Sequence, residues 1–136
     1  MDLTTILPHR PPMLLVEEVT DVVPGLRLTG RFEVRHNRPW CTGGLPTYLV
    51  LESWLQSAAV LVGWALPAPA GRLTLVAGMR DVRLGRSAQR GETVEHHVEI
   101  VRSVETTAIC TGVGVVGDEP ILRVGQVTVT FAGGDE

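Results

Sequence analysis

Glu52 and Gln56 stand four residues apart in a run, Tyr48 to Leu66, that is otherwise aliphatic, aromatic or small. On a helix that spacing stacks the two side chains on one face. Ala59 and Gly63 continue the stripe with very small side chains, which leaves room beside the polar pair for a thin ligand or another backbone. A carboxylate in apolar surroundings has its neutral form favoured, so it is suited to act as a general acid or base near neutral pH. The alternative reading of Glu52 is structural: an acid satisfied by backbone donors, or one placed at a dimer seam. Upstream, Gly43-Gly44 offers backbone N–H groups with no side chain to block a ligand. Such a turn, leading into a helix, can steady an oxyanion or a polarised carbonyl, or it can be only a turn.

The four histidines give no metal pattern. His96 is expected inward with Val94 and Val98 and His97 outward, and adjacent strand residues cannot chelate together. His9 and His36 precede strands or loops and fit plain surface positions. Arg80, Arg83, Arg86 and Arg90 form one basic run in "MRDVRLGRSAQR", expected to be a solvated edge, with docking of a phosphate or an acidic partner as the alternative. All 12 basic side chains are arginine, which excludes lysine Schiff-base or lysine-nucleophile chemistry. The net charge of −3 disfavours broad nucleic-acid binding, which needs a strongly basic face. Cys41 and Cys110 lie far apart and are expected to be free thiols.

These groups must be held by something. With 136 residues the chain fits one domain, 1–136, around a single core. "LLVEEVTDVV" suggests a first strand, Pro24-Gly25 a turn, and Leu26 to Val34 a half-buried strand with Leu26, Leu28, Phe32 and Val34 on one side. After Pro46 the period becomes helical, with Thr47 as the candidate cap. Val50, Leu51, Trp54, Leu55, Ala58, Leu61, Val62 and Ala65 fill the apolar arc, and Glu52, Ser53, Gln56, Ser57, Val60 and Gly63 lie opposite. The lack of charge on that second arc predicts a helix covered on most sides. "PAPAG" at Pro67 to Gly71 ends it. A carboxylate at membrane depth costs about 2.5 kcal/mol or more, so the run is not expected to span a bilayer. Strands are expected at Leu73–Leu84, Thr93–Val104, Thr107–Val116 and Ile121–Phe131. Two strands, one long helix and four strands predict an α+β arrangement, an antiparallel sheet around one helix. "MDLTTILPHRPP" does not have the form of a signal peptide, so the expected location is the cytoplasm.

The order of motifs resembles FabZ-type 3-hydroxyacyl-[acyl-carrier-protein] dehydratases. "ILPHRPPMLLVEEV" matches the family's opening at Leu7, Pro8, His9, Arg10, Pro12, Leu14, Leu15 and Val16. "NRPWCTGGLP" runs without gaps along N-E-P-F-F-x-G-H-F-P, and "AGMRDVRLGRSAQRGE" is similar to the strand and turn before the family's last three strands. The resemblance covers nearly the whole chain and implies the hotdog fold, a curved antiparallel sheet wrapped around one long central helix, working as a dimer with sites between subunits. Two departures stand out: Gly44 occupies the place of the family's catalytic histidine, and the segment between Pro46 and Glu52 lacks the family's M-P-G turn. Glu52 nevertheless lines up with the family's helix carboxylate and Gln56 with the glutamine after it. The shortened form, with Gly63-Trp64, is similar to a histidine-less dehydratase-like branch associated with aryl-polyene and related type II polyketide pathways.

What the resemblance implies is a subunit that pairs with a histidine-bearing hotdog partner and contributes Glu52 as the catalytic acid. Gln56, Gly43, Gly44 and Ala59 would border the substrate, and Arg80, Arg83, Arg86 and Arg90 would dock the carrier protein. No metal or redox cofactor is expected, because the acyl group arrives on the 4'-phosphopantetheine of an acyl carrier protein. Two alternatives stay open. One is a hotdog thioesterase that uses Glu52 on water or as a nucleophile, and the other is a non-catalytic subunit that shapes the acyl tunnel and docks the carrier.

Overall fold

A computed structural model describes residues 3–35, 43–66 and 74–131. After a single turn at Leu3–Thr5 come β1 (Glu18–Val23), β2 (Arg27–Glu33), α1 (Thr47–Ala65), β3 (Thr74–Leu84), β4 (Thr93–Val104), β5 (Thr107–Val116) and β6 (Glu119–Phe131). They form one six-stranded sheet in the order β1-β2-β4-β5-β6-β3, with every neighbouring pair antiparallel. The helix α1 packs against β2, β3, β4, β5 and β6. Five strands at about 4.8 Å spacing span roughly 19 Å, wider than a helix of about 10–12 Å, so the sheet must curl to reach it. This is the hotdog arrangement that the motif order implied.

The helix is turned differently from the sequence expectation. Ser53, Ser57 and Val60, placed on the outer arc, are completely buried, while Leu51 and Leu55, placed on the inner arc, are half-exposed. The reason is steric. At Gly30 on β2 a Cβ would come within 2.2 Å of the Ser57 hydroxyl, so the strand can meet the helix only where one side lacks a side chain and the other has a small one. Ser57 donates to the Ser53 carbonyl at 3.1 Å, and Ser53 donates to the Leu15 carbonyl at 2.6 Å, so both buried hydroxyls are satisfied.

Other boundaries move for identifiable reasons. The first strand begins at Glu18 rather than Leu14 because the helix takes its upstream backbone: Leu15 N–H donates to the Gln56 side-chain oxygen at 2.8 Å. Leu26 lies in the turn and is 39 % exposed, off the buried face that Leu28, Phe32 and Val34 do share. Pro46 rather than Thr47 occupies the cap position, and its carbonyl accepts from Leu49 and Val50 N–H at 2.9 and 3.0 Å with no side-chain cap. At the other end Leu66 is extended, as a residue before proline prefers. Leu73 and "PAPAG" lie outside the described residues.

The two sheet edges differ. β1 is short and its pairing shifts between Thr20 and Val23, where Asp21 takes φ 52°. β3 runs for 11 residues and exposes Leu75, Val76, Met79 and Leu84 by 43–49 %. A long edge strand with a row of exposed apolar side chains is a template for another strand. Among the described residues no helix is long and apolar enough to cross a membrane.

Candidate functional site

Glu52 occupies the second turn of α1 on the face that the sheet leaves partly open, and its side chain is 33 % exposed. One carboxylate oxygen, Oε2, accepts from Gln56 Nε2 at 3.0 Å and lies 3.3 Å from His9 Nε2. Among the described residues nothing engages Oε1. A pocket of about 150 Å³ opens beside this group, lined by His9, Glu52, Leu55, Gln56, Ala59, the first residues of β3 (Thr74, Leu75, Val76) and Val129. Its walls are aliphatic apart from that polar trio and Thr74; Ala59 lines it and Gly63 does not.

Gln56 is 1 % exposed and has a structural task. Its Oε1 accepts from Leu15 N–H at 2.8 Å, and its Nε2 donates to the Met13 carbonyl at 2.9 Å as well as to Glu52. Every polar atom of this amide is therefore engaged within the protein. It borders the pocket, but as a clamp between the helix and the N-terminal segment rather than as a free substrate contact. Arg10 reinforces the same segment by donating to the carbonyls of Leu7 and His9 at 2.8 Å.

The sequence reading fitted His9 to a plain surface position, whereas the structure puts it beside Glu52. Proline-framed "LPHRPP" has neither a 2 nor a 3.6 residue period, so no face could be assigned to it. Only the clamp from Gln56 to Met13 and Leu15 reveals that this segment folds back over Glu52.

Gly43 is exposed and Gly44 buried, and neither borders the pocket. Gly44 takes φ +112°, and a Cβ there would lie 2.3 Å from the Ala88 carbonyl oxygen. Leu45 and Ala88 are bound in a two-bond bridge, with N–H to O distances of 2.7 and 3.1 Å. His36, Cys41 and the Asn37 to Thr42 part of the motif lie outside the described residues.

Of the four arginines, Arg80, Arg83 and Arg90 are exposed and Arg86 is not free for a partner. Its guanidinium bonds Glu92 at 2.9 and 3.1 Å and Glu119 at 3.1 and 3.2 Å, joining the turn before β4 to the start of β6. Those bonds, followed by the Gln89 N–H, hold the Glu92 carboxyl below its usual range. Arg83 faces Arg123 across the β3–β6 pair, which keeps the exposed cationic charge concentrated there.

Beneath the site His96 is fully buried, as its inward register predicted, and His97 is exposed on the other face with Nδ1 3.1 Å from the Thr29 hydroxyl. His96 Nε2 lies 2.9 Å from Ser53 Oγ. Ser53 uses its own proton on Leu15, so His96 must be the donor and its Nδ1, which has no partner, carries the lone pair. Burial first, then the charge of His97, push the ring down to about 3. The unfolded chain therefore takes up a proton below pH of about 6.5 that the native chain refuses until about 3. Stability is intact above that window and falls as pH drops through it, by about 2 kcal/mol at pH of roughly 5. Urea unfolding at neutral pH and at pH of about 5 measures this loss, and His96→Gln should remove most of the difference between the two. An unchanged slope in His96→Gln would assign the acid sensitivity elsewhere. Cys110 is buried and free, its thiol pushed up to about 12 by burial, which makes it an inert packing residue. Among the described residues no three of His, Cys, Asp or Glu converge to hold a metal.

Comparison with known proteins adds to this geometry. Residues 1–113 match the model of the ApeP-like family, described as ApeP dehydratase. The chain is 35 % identical over 120 residues to the 3-hydroxyacyl-[acyl-carrier-protein] dehydratase FabZ of Desulforamulus reducens, covering 84 % of each. It is 32 % identical over 136 residues to the FabZ of Bacillus subtilis, covering 96 % of this chain and 94 % of that one. Among solved structures, a chain of the dehydratase heterocomplex ApeI:P from Xenorhabdus doucetiae superposes with a TM-score of 0.81 at 19 % identity, covering 98 % and 92 % of the two chains. A thioesterase family protein from Silicibacter pomeroyi gives 0.73 at 15 %, covering 97 % and 96 %, which is a likeness of fold.

Proposed function

The chain belongs to the ApeP-like dehydratase family, within the FabZ-type hotdog proteins, and on that premise we propose that it is one subunit of a 3-hydroxyacyl-[acyl-carrier-protein] dehydratase, with Glu52 as the catalytic acid. The observation that carries the reading is Glu52 itself, bonded through Oε2 by Gln56 with His9 3.3 Å away, and with Oε1 unengaged among the described residues, beside a largely aliphatic pocket.

In the proposed reaction a histidine of a second hotdog subunit removes a proton from the carbon next to the thioester carbonyl. The Cα electron pair forms the new double bond, and the 3-hydroxyl leaves with the proton of Glu52 as water. A trans-2-enoyl thioester remains. The aliphatic walls suit a growing acyl or polyene chain, carried on the 4'-phosphopantetheine of an acyl carrier protein in a fatty-acid-like or type II polyketide pathway.

Two features support a partner of the same fold. β3 offers a long, exposed, apolar edge, and the pocket is bordered by the first residues of that same strand, so a chain paired along β3 would lie next to Glu52. Gly44 supplies no side chain for the base, which the second subunit would bring. Arg80 and Arg83, reinforced by Arg123, are the proposed contacts for an acidic carrier protein; Arg86 is excluded because its carboxylate partners already engage it.

The test is to incubate the purified chain with a 3-hydroxyacyl carrier protein, alone and with a hotdog protein that retains G-H-F-P. Loss of one water mass from the acyl group in the mixture is the expected result. Release of the free acid by this chain alone would replace the reading with a thioesterase.

A further inference from the structure

The pocket beside Glu52 has a far end, and we infer that Ile6 sets it, so that this half-buried side chain limits how long an acyl chain the site accepts. The inference rests on the proposed dehydration and narrows its substrate class to 3-hydroxyacyl groups whose tail ends before Ile6.

The polar groups of the pocket are His9, Glu52 and Gln56, and its apolar walls are Leu55, Ala59, Leu75, Val76 and Val129. The reacting carbons belong beside Glu52, so the tail must run along the apolar walls, past Leu55 and Ala59. From Glu52 to Ala59 the helix rises about 10 Å, and Gly63 follows on the same face about 6 Å further on. Gly63 nevertheless does not border the pocket. What covers it is Ile6. A Cβ built on Gly63 would stand 3.0 Å from Ile6 Cγ2, and apart from its own helix no other described atom comes within 4 Å. Glycine is costly inside a helix, and the contact with Ile6 accounts for this one.

The segment that carries Ile6 is braced on both sides. Ile6 and Leu7 N–H donate to the Leu3 carbonyl at 3.1 and 2.8 Å, and the Leu3 and Leu7 side chains are buried in the core. Arg10 donates to the carbonyls of Thr4, Leu7 and His9 at 3.4, 2.8 and 2.8 Å. A β-branched side chain is stiff at its first torsion, so on a braced backbone Ile6 is a fixed stop rather than a flap that swings aside. The same short stretch places His9 beside Glu52 and Ile6 over Gly63. It therefore marks both the reacting end of the helix face and the end of the space along it.

The experiment mixes this chain with a histidine-bearing hotdog partner and follows dehydration of 3-hydroxyacyl carrier proteins of stepwise increasing chain length. For the parent, kcat/KM should drop sharply past one length, because a pocket of fixed depth discriminates about 10-fold to 200-fold per methylene. Ile6→Ala removes Cγ1, Cγ2 and Cδ1, so it should move that drop by about two carbons toward longer chains and leave shorter substrates within about 2-fold. Ile6→Ala combined with Gly63→Leu refills the space from the helix side and should return the drop to the parent's length. If Ile6→Ala fails to fold, Ile6→Val, which removes only Cδ1, carries the same test with a smaller shift. A loss shared equally by all lengths would make Ile6 a packing residue and overturn the inference, as would a parent with no length limit. A double variant that keeps the longer limit would also overturn it, since the end would then lie elsewhere. Calorimetric binding of acyl-pantetheines of the same lengths reads the depth without turnover. Should the mixture dehydrate no length, the proposed reaction falls, and the binding limit of Ile6→Ala still decides for or against Ile6: a longer limit supports it and an unchanged one refutes it.

Discussion

Glu52→Gln should lower dehydration by the proposed two-subunit complex about 100-fold to 10,000-fold while leaving the fold intact. Glutamine has the size of glutamate and can still accept from Gln56 through its amide oxygen, so the clamp that ties α1 to Met13 and Leu15 survives. What disappears is the acidic proton that the proposed reaction gives to the departing hydroxyl. A half-exposed isosteric change away from the core alters stability by about 0.5 kcal/mol or less, so activity and stability should separate cleanly. Single-turnover assays of the mixture, paired with urea unfolding of the variant chain, make the comparison. Glu52→Asp should retain more activity than the glutamine, since it keeps the acid but withdraws it by one methylene. If the Glu52→Gln complex dehydrates at the wild-type rate, the acid comes from elsewhere and this chain serves as a scaffold for its partner.

How much of this arrangement could be read from the letters depends on which interactions are local. Strand alternation marked β2, β4 and β6, and the buried side of β4 was placed correctly down to His96 against His97, because period 2 is a property of each segment alone. The helix was located for the same reason. Its rotation was not, because burial of Ser53 and Ser57 depends on Gly30, a residue on another strand whose missing side chain no helical wheel displays. Glu52 and Gln56 were visible as a stacked pair on one helix. His9 was not, since its position above Glu52 is set by hydrogen bonds from Gln56 to an aperiodic segment distant in sequence. Likewise Arg86 looked like one cation among four until Glu92 and Glu119, from two different strands' ends, closed around it.

Putting back the missing histidine should fail. Gly44→His is expected to destabilise the chain by about 3–5 kcal/mol, with no dehydration by the variant alone. The position takes φ +112°, which an L side chain adopts only with strain of about 1–3 kcal/mol. Its Cβ would press to 2.3 Å from the Ala88 carbonyl oxygen, an atom already bound to Leu45 N–H at 2.7 Å. Relieving that contact means opening the Leu45–Ala88 bridge, two hydrogen bonds worth about 1 kcal/mol each. Against a total of about 5–15 kcal/mol for a domain, this is a large fraction. Because the clash begins at Cβ, Gly44→Ala should lose nearly as much as Gly44→His, and urea unfolding of the two variants tests that equality. A Gly44→His chain that is as stable as the parent and dehydrates unaided would mean that the loop regains a histidine-bearing shape at little cost. If instead both variants fall together, the absence of the base is built into the backbone around Gly44 and Ala88. Under the proposed reaction the base then has to come from elsewhere than position 44, as a second subunit would supply it.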